Sequence, residues 1–98
     1  MAMHVGIARV ALHLAGNGSL KGKRMLVKSV TQRVRNRFNV AVAEVDTQDA
    51  WQMATLGIVC LSDDPRHANE MLSKVIDFIE SERLDAEVGG VDTELIAL

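Results

Sequence analysis

The sequence has one cysteine, one proline, one tryptophan and no tyrosine among 98 residues. The single cysteine, Cys60, excludes a disulfide within the chain and a Cys-x-x-Cys metal or redox site. It lies in an apolar run, where a buried structural thiol is expected. No apolar run approaches the roughly 18 residues that cross a bilayer, and no basic region precedes a long apolar core at the N-terminus. These absences predict a cytoplasmic protein that does not interact with membranes.

Acidic residues are absent from the first 38 positions, which hold eight of the eleven Lys and Arg residues. All thirteen Asp and Glu residues lie in positions 39–98. The formal net charge of −2 therefore conceals a separation of charge along the chain. Because salt screens charges over about 8 Å under physiological conditions, distant acids have little influence on a local basic surface. Such a surface is compatible with the low net charge.

The basic residues concentrate in positions 19–38, SLKGKRMLVKSVTQRVRNRF, directly after the turn-forming segment AGNG. Apolar residues recur in this segment at three- and four-residue spacing, which predicts an amphipathic helix with one buried face. Ser19 is placed to cap the first turn, and Asn39 to end the helix in the left-handed conformation. Four basic residues form a stripe beside the apolar face: Lys21, Arg24, Lys28 and Arg35.

Four segments have the patterns of β-strands. Alternation predicts a first strand at 3–14, and β-branched residues in short runs predict strands at about 40–47 and 53–62. The C-terminal segment predicts a fourth strand with a bulge or bend at Gly89-Gly90.

A second helix is predicted between the third and fourth strands. Asp63 or Asp64 is a suitable N-cap before Pro65, and the amphipathic pattern continues to about residue 83 with an acidic outer face. The resulting order, β-α-β-β-α-β, predicts a single α+β domain over residues 1–98. Its plan is ferredoxin-like, with a four-stranded antiparallel sheet in the order 4-1-3-2 and both helices on one face.

This plan leaves one face of the sheet without helices. That face carries Val5, Ile7 and the other odd-numbered residues of the first strand, together with one of the two alternating sets of the third strand. Such a surface is too apolar to be left in water. We therefore expect a homo-oligomer, a dimer in the simplest case, formed by sheet-to-sheet packing or by pairing of sheet edges.

The segment GNGSLKGK differs from a nucleotide-binding P-loop. Five residues separate Gly16 from Gly22 where the motif has four, and Arg24 replaces the Ser or Thr that holds magnesium. A helix start surrounded by basic side chains instead predicts an anion-binding corner, for which a nucleic-acid phosphate is the obvious ligand. A solvated helix face is the alternative. The predicted phosphate contacts are Lys21, Lys23, Arg24, Lys28 and Arg35.

The central strands carry no aromatic residues on which bases could stack, so a nucleic acid would be bound through its phosphates with little sequence preference. Trp51 is predicted to lie in a loop between two strands. It is either a lid over one end of the core or an anchor for a partner.

No catalytic, metal-binding or cofactor-binding constellation is evident in the sequence. The alternative is an enzyme. Its site would be present if the fold brought His13 together with Glu44 and Asp46 in a closed pocket. Without such a pocket, these acids are ordinary residues of a strand connection. We expect a non-enzymatic protein without a cofactor or metal.

Several segments of this chain, and their order and spacing, resemble those of the YlxP-like family of small bacterial proteins. They are GIARVALHL in the first strand, SLKGKR at the helix start, VRNRFNVAVAEVD across its exit, and the DAWQ loop. The resemblance implies a ferredoxin-like domain of unknown function, and the genes of this family tend to lie near those for translation initiation and ribosome maturation. Where the family often has a polar residue between the two lysines, this chain has Gly22, which weakens the first helical turn by up to about 1 kcal/mol and suggests a looser anion corner.

Two functional hypotheses follow. In the first, the chain is a non-enzymatic module that binds RNA or a ribosomal subunit through the basic helix. In the second, it is a protein-interaction or assembly module whose basic helix meets an acidic protein surface.

Overall fold

The computed structural model describes residues 3–82 and 86–98. Its elements follow the predicted order: β1 (His4–His13), α1 (Leu20–Arg37), β2 (Ala41–Glu44), β3 (Met53–Ser62), α2 (Pro65–Ser81) and β4 (Glu87–Ala97). The four strands form one antiparallel sheet in the order β2-β3-β1-β4, which is the predicted order read from the other edge. Both helices pack on the same face. The described part of the chain thus has the ferredoxin-like α+β architecture.

The core lies between the helices and one face of the sheet. Ala8, Val10 and Leu12 of β1 project into it and are fully buried, as the alternating pattern predicts. The apolar stripes of the helices complete the same cluster, through Val30 and Val34 of α1 and Ala68, Leu72, Val75 and Ile79 of α2. The residues between Ala8, Val10 and Leu12 point to the opposite face, which no described element covers.

Helix α1 begins as predicted and ends differently. The Ser19 hydroxyl accepts a hydrogen bond from the Gly22 amide at 3.0 Å, which confirms the N-cap. The predicted left-handed terminator at Asn39 is wrong, because Asp46 is the one non-glycine residue with positive φ in the described ranges. Phe38 instead ends the helix in extended backbone, and its ring packs edge to face against Phe78 at 5.5 Å. The chain leads from there directly into β2.

Strand β2 is shorter than the predicted 40–47. It ends at Glu44 because Asp46 takes φ 64° and turns the chain, while the Val45 amide still donates to the Thr55 carbonyl at 2.8 Å. Strand β3 has the predicted bounds, Met53–Ser62.

Helix α2 is capped by Asp64, whose carboxylate accepts from the Arg66 amide at 2.9 Å, and Pro65 occupies the first turn. The helix ends at Ser81; the predicted end at residue 83 lies outside the described residues.

The predicted irregularity at Gly89-Gly90 is a β-bulge. Val10 pairs with Val91 and Leu12 with Val88, so the two glycines lie opposite Ala11 alone. A side chain at Gly89 would place its Cβ 2.6 Å from the His13 ring, which explains glycine at that position.

Candidate nucleic-acid interface

The start of helix α1 is joined to the β2–β3 connection by side-chain hydrogen bonds. The Asn17 side-chain amide donates to the Ser19 carbonyl at 2.7 Å and to the Trp51 carbonyl at 2.6 Å. The Gln52 side chain adds longer hydrogen bonds to the Ala15 and Asn17 carbonyls, both at 3.4 Å. The loop before α1 and the loop before β3 therefore form one hydrogen-bonded corner.

Gly22 is part of this corner. A Cβ at position 22 would collide with the Asn17 side-chain oxygen and approach the Ser19 hydroxyl to 3.2 Å. Glycine thus allows the Asn17 side chain to reach both of its acceptors. The structure thus gives a packing reason for glycine at this position, while the expectation that Gly22 loosens the corner stays a prediction that rests on its low helix propensity.

Lys23 is not available to a phosphate, contrary to the prediction. Its side chain is fully buried, with Nζ 2.9 Å from Glu44 Oε2. The same ammonium donates to the carbonyls of Thr47, Gln48 and Met53. All of its hydrogen-bonding capacity is directed inwards, so Lys23 ties α1 to the end of β2 and to the β2–β3 connection.

The spacing along α1 explains why Lys23 is buried. It precedes the apolar-face residues Val27, Val30 and Val34 by four, seven and eleven positions, which places all four on one face at 3.6 residues per turn. This signal was present in the sequence. Counting basic residues as a group obscured it, whereas reading the position of each residue on the helix would have found it.

Glu44 belongs to this buried arrangement and does not converge with His13. It accepts from Lys23 and from the Thr47 hydroxyl, the latter at 3.0 Å, on the helix-covered side of the sheet. His13 pairs with Met53 and Glu87 and points to the uncovered side. The fold therefore separates His13 from Glu44, and the described residues include no group of three His, Cys, Asp or Glu side chains arranged to hold a metal.

Three of the predicted phosphate contacts are exposed side by side on the outer surface of α1. Lys21, Arg24 and Lys28 follow one another at intervals of three and four residues, which aligns them along the helix. Within the described residues, no carboxylate oxygen lies within 4.0 Å of their charged nitrogens. They form the basic stripe, defined here as Lys21, Arg24 and Lys28.

Arg35 continues the line of the basic stripe towards the C-terminal end of α1. It is exposed, but Nη2 donates to the Val42 carbonyl at 2.8 Å, which fixes one side of the guanidinium to the sheet edge at β2. Arg33 and Arg37 lie elsewhere on the helix. The first is 3.9 Å from a Glu82 carboxylate oxygen, and the second stacks 5.1 Å above the centre of the Phe78 ring.

Trp51 is 55% exposed and is not packed against the core. The hypothesis that it forms a lid over the core is therefore wrong. Its backbone carbonyl is held at the corner by the Asn17 side chain, and its indole is largely exposed to solvent. The exposure that a partner anchor requires is present, and that role stays a prediction.

A groove of about 870 Å³ lies on the other side of α1, against the end of β1 and the start of β4. Residues that line it include His13 and Glu87 at the strand ends and Arg33 of α1. Cys60 is remote from it and buried. Desolvation raises the pKa of the Cys60 thiol, while a hydrogen bond with the Gly6 backbone acts in the opposite direction. A raised pKa makes this thiol a poor nucleophile.

Comparisons with known proteins define the family. Residues 5–93 match the family model described as a protein of unknown function, DUF503. The chain belongs to the DUF503 family. An uncharacterized protein of Bacillus subtilis (strain 168), YlxP, is 36% identical over 77 residues, which span 79% of this chain and 84% of YlxP.

A solved amidase of the hydantoinase/carbamoylase family from Burkholderia phymatum gives a partial structural match. It covers 98% of this DUF503 chain at 11% identity with a TM-score of 0.43, and this chain spans 28% of the amidase. At that level the likeness carries no argument about function. The segment that matches the DUF503 model includes the basic stripe, the Lys23–Glu44 pair and Trp51, and the family description assigns no activity to any of them. No helix among the described residues is long and apolar enough to span a membrane.

Proposed function

We propose that this protein is a non-enzymatic RNA-binding module that contacts the phosphate backbone through the basic stripe. The observation that carries the proposal is that Lys21, Arg24 and Lys28 are exposed together without a carboxylate partner in the described part of the chain. Exposed cations in a row do not stabilise one another. Without a carboxylate partner, they are available to replace the counterions of a polyanion. Arg35 extends the same line with guanidinium donors that have no partner among the described residues.

The dimensions of the stripe suit a backbone contact. Seven residues separate Lys21 from Lys28, or about 10 Å along the helix axis, and Arg35 lies a further about 10 Å away. The Ser19 hydroxyl already accepts from the Gly22 amide, which leaves fewer free backbone amides for an anion at the helix start. Binding of this kind depends on charge and shape and is nearly independent of base sequence.

Ribosomal RNA is the RNA that we propose as the partner. The support is the resemblance described above, which places the genes of the family near those for translation initiation and ribosome maturation. The Trp51 backbone is hydrogen-bonded to Asn17, which directly precedes the N-cap region of α1, so we expect the environment of Trp51 to change when RNA binds there. As the single tryptophan in a chain without tyrosine, it provides a fluorescence signal from that corner alone.

A protein-interaction function is the second candidate. Its support is the acidic outer surface of α2, where Glu70, Asp77 and Glu80 are exposed. A neighbouring copy, or another acidic protein surface, would then be the ligand of the basic stripe.

The deciding experiment compares two double variants in binding to ribosomal subunits and free ribosomal RNA. Arg24→Glu/Lys28→Glu reverses two charges of the stripe, and Arg66→Glu/Lys74→Glu reverses two exposed charges on α2. Each variant replaces one Arg and one Lys by Glu, so both carry the same net charge. We expect the stripe variant to lose at least 10-fold in affinity and the α2 variant to stay close to wild type, provided that circular dichroism shows both to be folded.

A salt series gives a second test with the wild-type protein. Three phosphate contacts predict a loss of affinity of roughly 20- to 40-fold between 50 and 200 mM salt. Absence of RNA binding by the wild type, or equal binding by the two double variants, would contradict the proposal and direct attention to acidic protein partners.

A further inference from the structure

One face of the sheet has no described element packed on it. The register of the strands shows which residues share this open face, because directly paired residues project to the same side. The open face is defined by Val5, Ile7, Arg9, Ala11 and His13 of β1, by Met53, Thr55, Gly57, Val59 and Leu61 of β3, by Glu87, Asp92, Glu94 and Ile96 of β4, and by Ala41 and Ala43 of β2.

Most of the side chains on the open face are apolar. Leu61 is 60% exposed and Val59 42%, and Val5, Ile7 and Ile96 beside them are half-buried. They form a continuous patch across three strands at the end of the sheet where β1 begins. The largest apolar patch on a domain is often functional, and this one is continuous across paired strands. We propose that a second copy of this chain packs on the open face, sheet against sheet.

The charges on the open face favour a second copy over other occupants. Arg9 lies at its centre and Asp92 and Glu94 lie on the adjacent strand, yet none of the three has an oppositely charged partner within 4.0 Å among the described residues. Both signs are therefore available for contacts across a two-fold axis, as an isologous interface requires. With Glu87 included, three carboxylates and one arginine make the same face unfavourable for nucleic acid or an anionic membrane.

The size of the open face fits a weak dimer. The three longest strands, β1 and β3 with ten residues and β4 with eleven, together measure roughly 33 Å by 14 Å, or about 460 Å² before the projection of side chains is included. Specific interfaces bury about 800 Å² per partner, and those at the low end of the range are transient. We therefore expect the dissociation constant of the dimer to lie in the micromolar range.

The exposed edge of β4 is a less suitable surface for self-association. Antiparallel pairing of β4 with its own copy about Thr93 would place Asp92 opposite Glu94, and like charges directly opposite destabilise a strand pair. Acidic residues on an edge strand are a common means of preventing such pairing. The face, and not this edge, is the surface that we assign to the second copy.

The proposal is tested by sedimentation equilibrium, with Leu61→Glu compared to Met25→Glu. Met25 is a matched control because it is 65% exposed on α1, on the other side of the sheet. We expect the wild type and Met25→Glu to form a dimer with the same dissociation constant. For Leu61→Glu, the dissociation constant should be at least 10-fold higher. Leu61→Ser is the second variant if the carboxylate prevents folding, and it should weaken the dimer in the same direction.

Two results would overturn the proposal. One is a wild-type protein that stays monomeric through the high micromolar range, which would assign the open face to a different partner. The other is a dimer that Leu61→Glu and Leu61→Ser leave unchanged, which would place self-association elsewhere. Neither result bears on RNA binding by the basic stripe, so the two proposals fail independently.

Discussion

Lys23 and Lys28 lie five residues apart on helix α1 and have opposite surroundings. Lys23 is fully buried against Glu44 and three backbone carbonyls, whereas Lys28 is exposed with no carboxylate within 4.0 Å in the described part of the chain. The helix therefore uses one residue type for two purposes. The buried face stabilises the fold, and the outer face provides the charge for which we propose a function.

The largest expected effect is at the buried face. Lys23→Ala should lower the free energy of unfolding by about 3 kcal/mol or more, because Glu44 and several carbonyls would be left without their partner. Urea denaturation measures the change, with Lys21→Ala as the exposed control at less than about 0.5 kcal/mol. Replacing both members of the pair, as in Lys23→Met/Glu44→Leu, should recover much of the loss. Equal effects of the two alanine variants would remove the distinction between the faces.

A smaller effect is expected at Gly22, and its sign should depend on Asn17. Alanine at position 22 displaces the Asn17 side chain, so two hydrogen bonds are lost, against a gain of up to about 1 kcal/mol in helix propensity. We expect Gly22→Ala to destabilise the wild type by about 1 kcal/mol. In an Asn17→Ala background the same substitution should stabilise, because only the propensity gain is left. Thermal unfolding of the four proteins tests this, and the same sign in both backgrounds would contradict the assignment.

Trp51, like Lys28, is exposed, so its removal should have little effect on stability. Trp51→Ala should cost less than about 1 kcal/mol in stability, compared with about 3–5 kcal/mol for a large aromatic removed from a core. The indole of the wild type should also emit at the long wavelengths typical of solvent contact. A large loss of stability would mean that the side chain packs as a lid after all.

The smallest effect on stability is expected at Lys28. Lys28→Ala should change the free energy of unfolding by less than about 0.5 kcal/mol, yet weaken RNA binding and reduce the salt slope by about one unit. Titrations at several salt concentrations, with Lys74→Ala as the control, separate these outcomes. An unchanged slope would exclude Lys28 as a phosphate contact.

Local patterns in the sequence were enough to predict the architecture. Alternation in β1, the Ser19 cap, Asp64-Pro65 before α2 and the paired glycines of β4 each have a direct physical cause within a few residues, and the structure bears out all four. The topology follows from their order because crossover connections between strands are right-handed.

The features that the sequence did not reveal depend on contacts between distant segments. The ends of β2 and α1 were misplaced because Asp46 turns the chain early and because Phe38 is extended to reach Phe78. The partners of Lys23 come from positions 21 to 30 residues further along the chain. Its burial was nevertheless readable from the helix periodicity, whereas the identity of those partners was not.

The placement of both helices on one side of the sheet has a consequence for valency. Because the sheet separates α1 from the open face, one molecule can engage a ligand on each side without competition. A pair of copies joined through their open faces would carry two basic stripes on opposite outer surfaces, with the two α1 axes about 30 Å apart if each layer adds about 10 Å. Such an assembly would bridge two segments of a folded polyanion, and its avidity would exceed the affinity of either stripe alone.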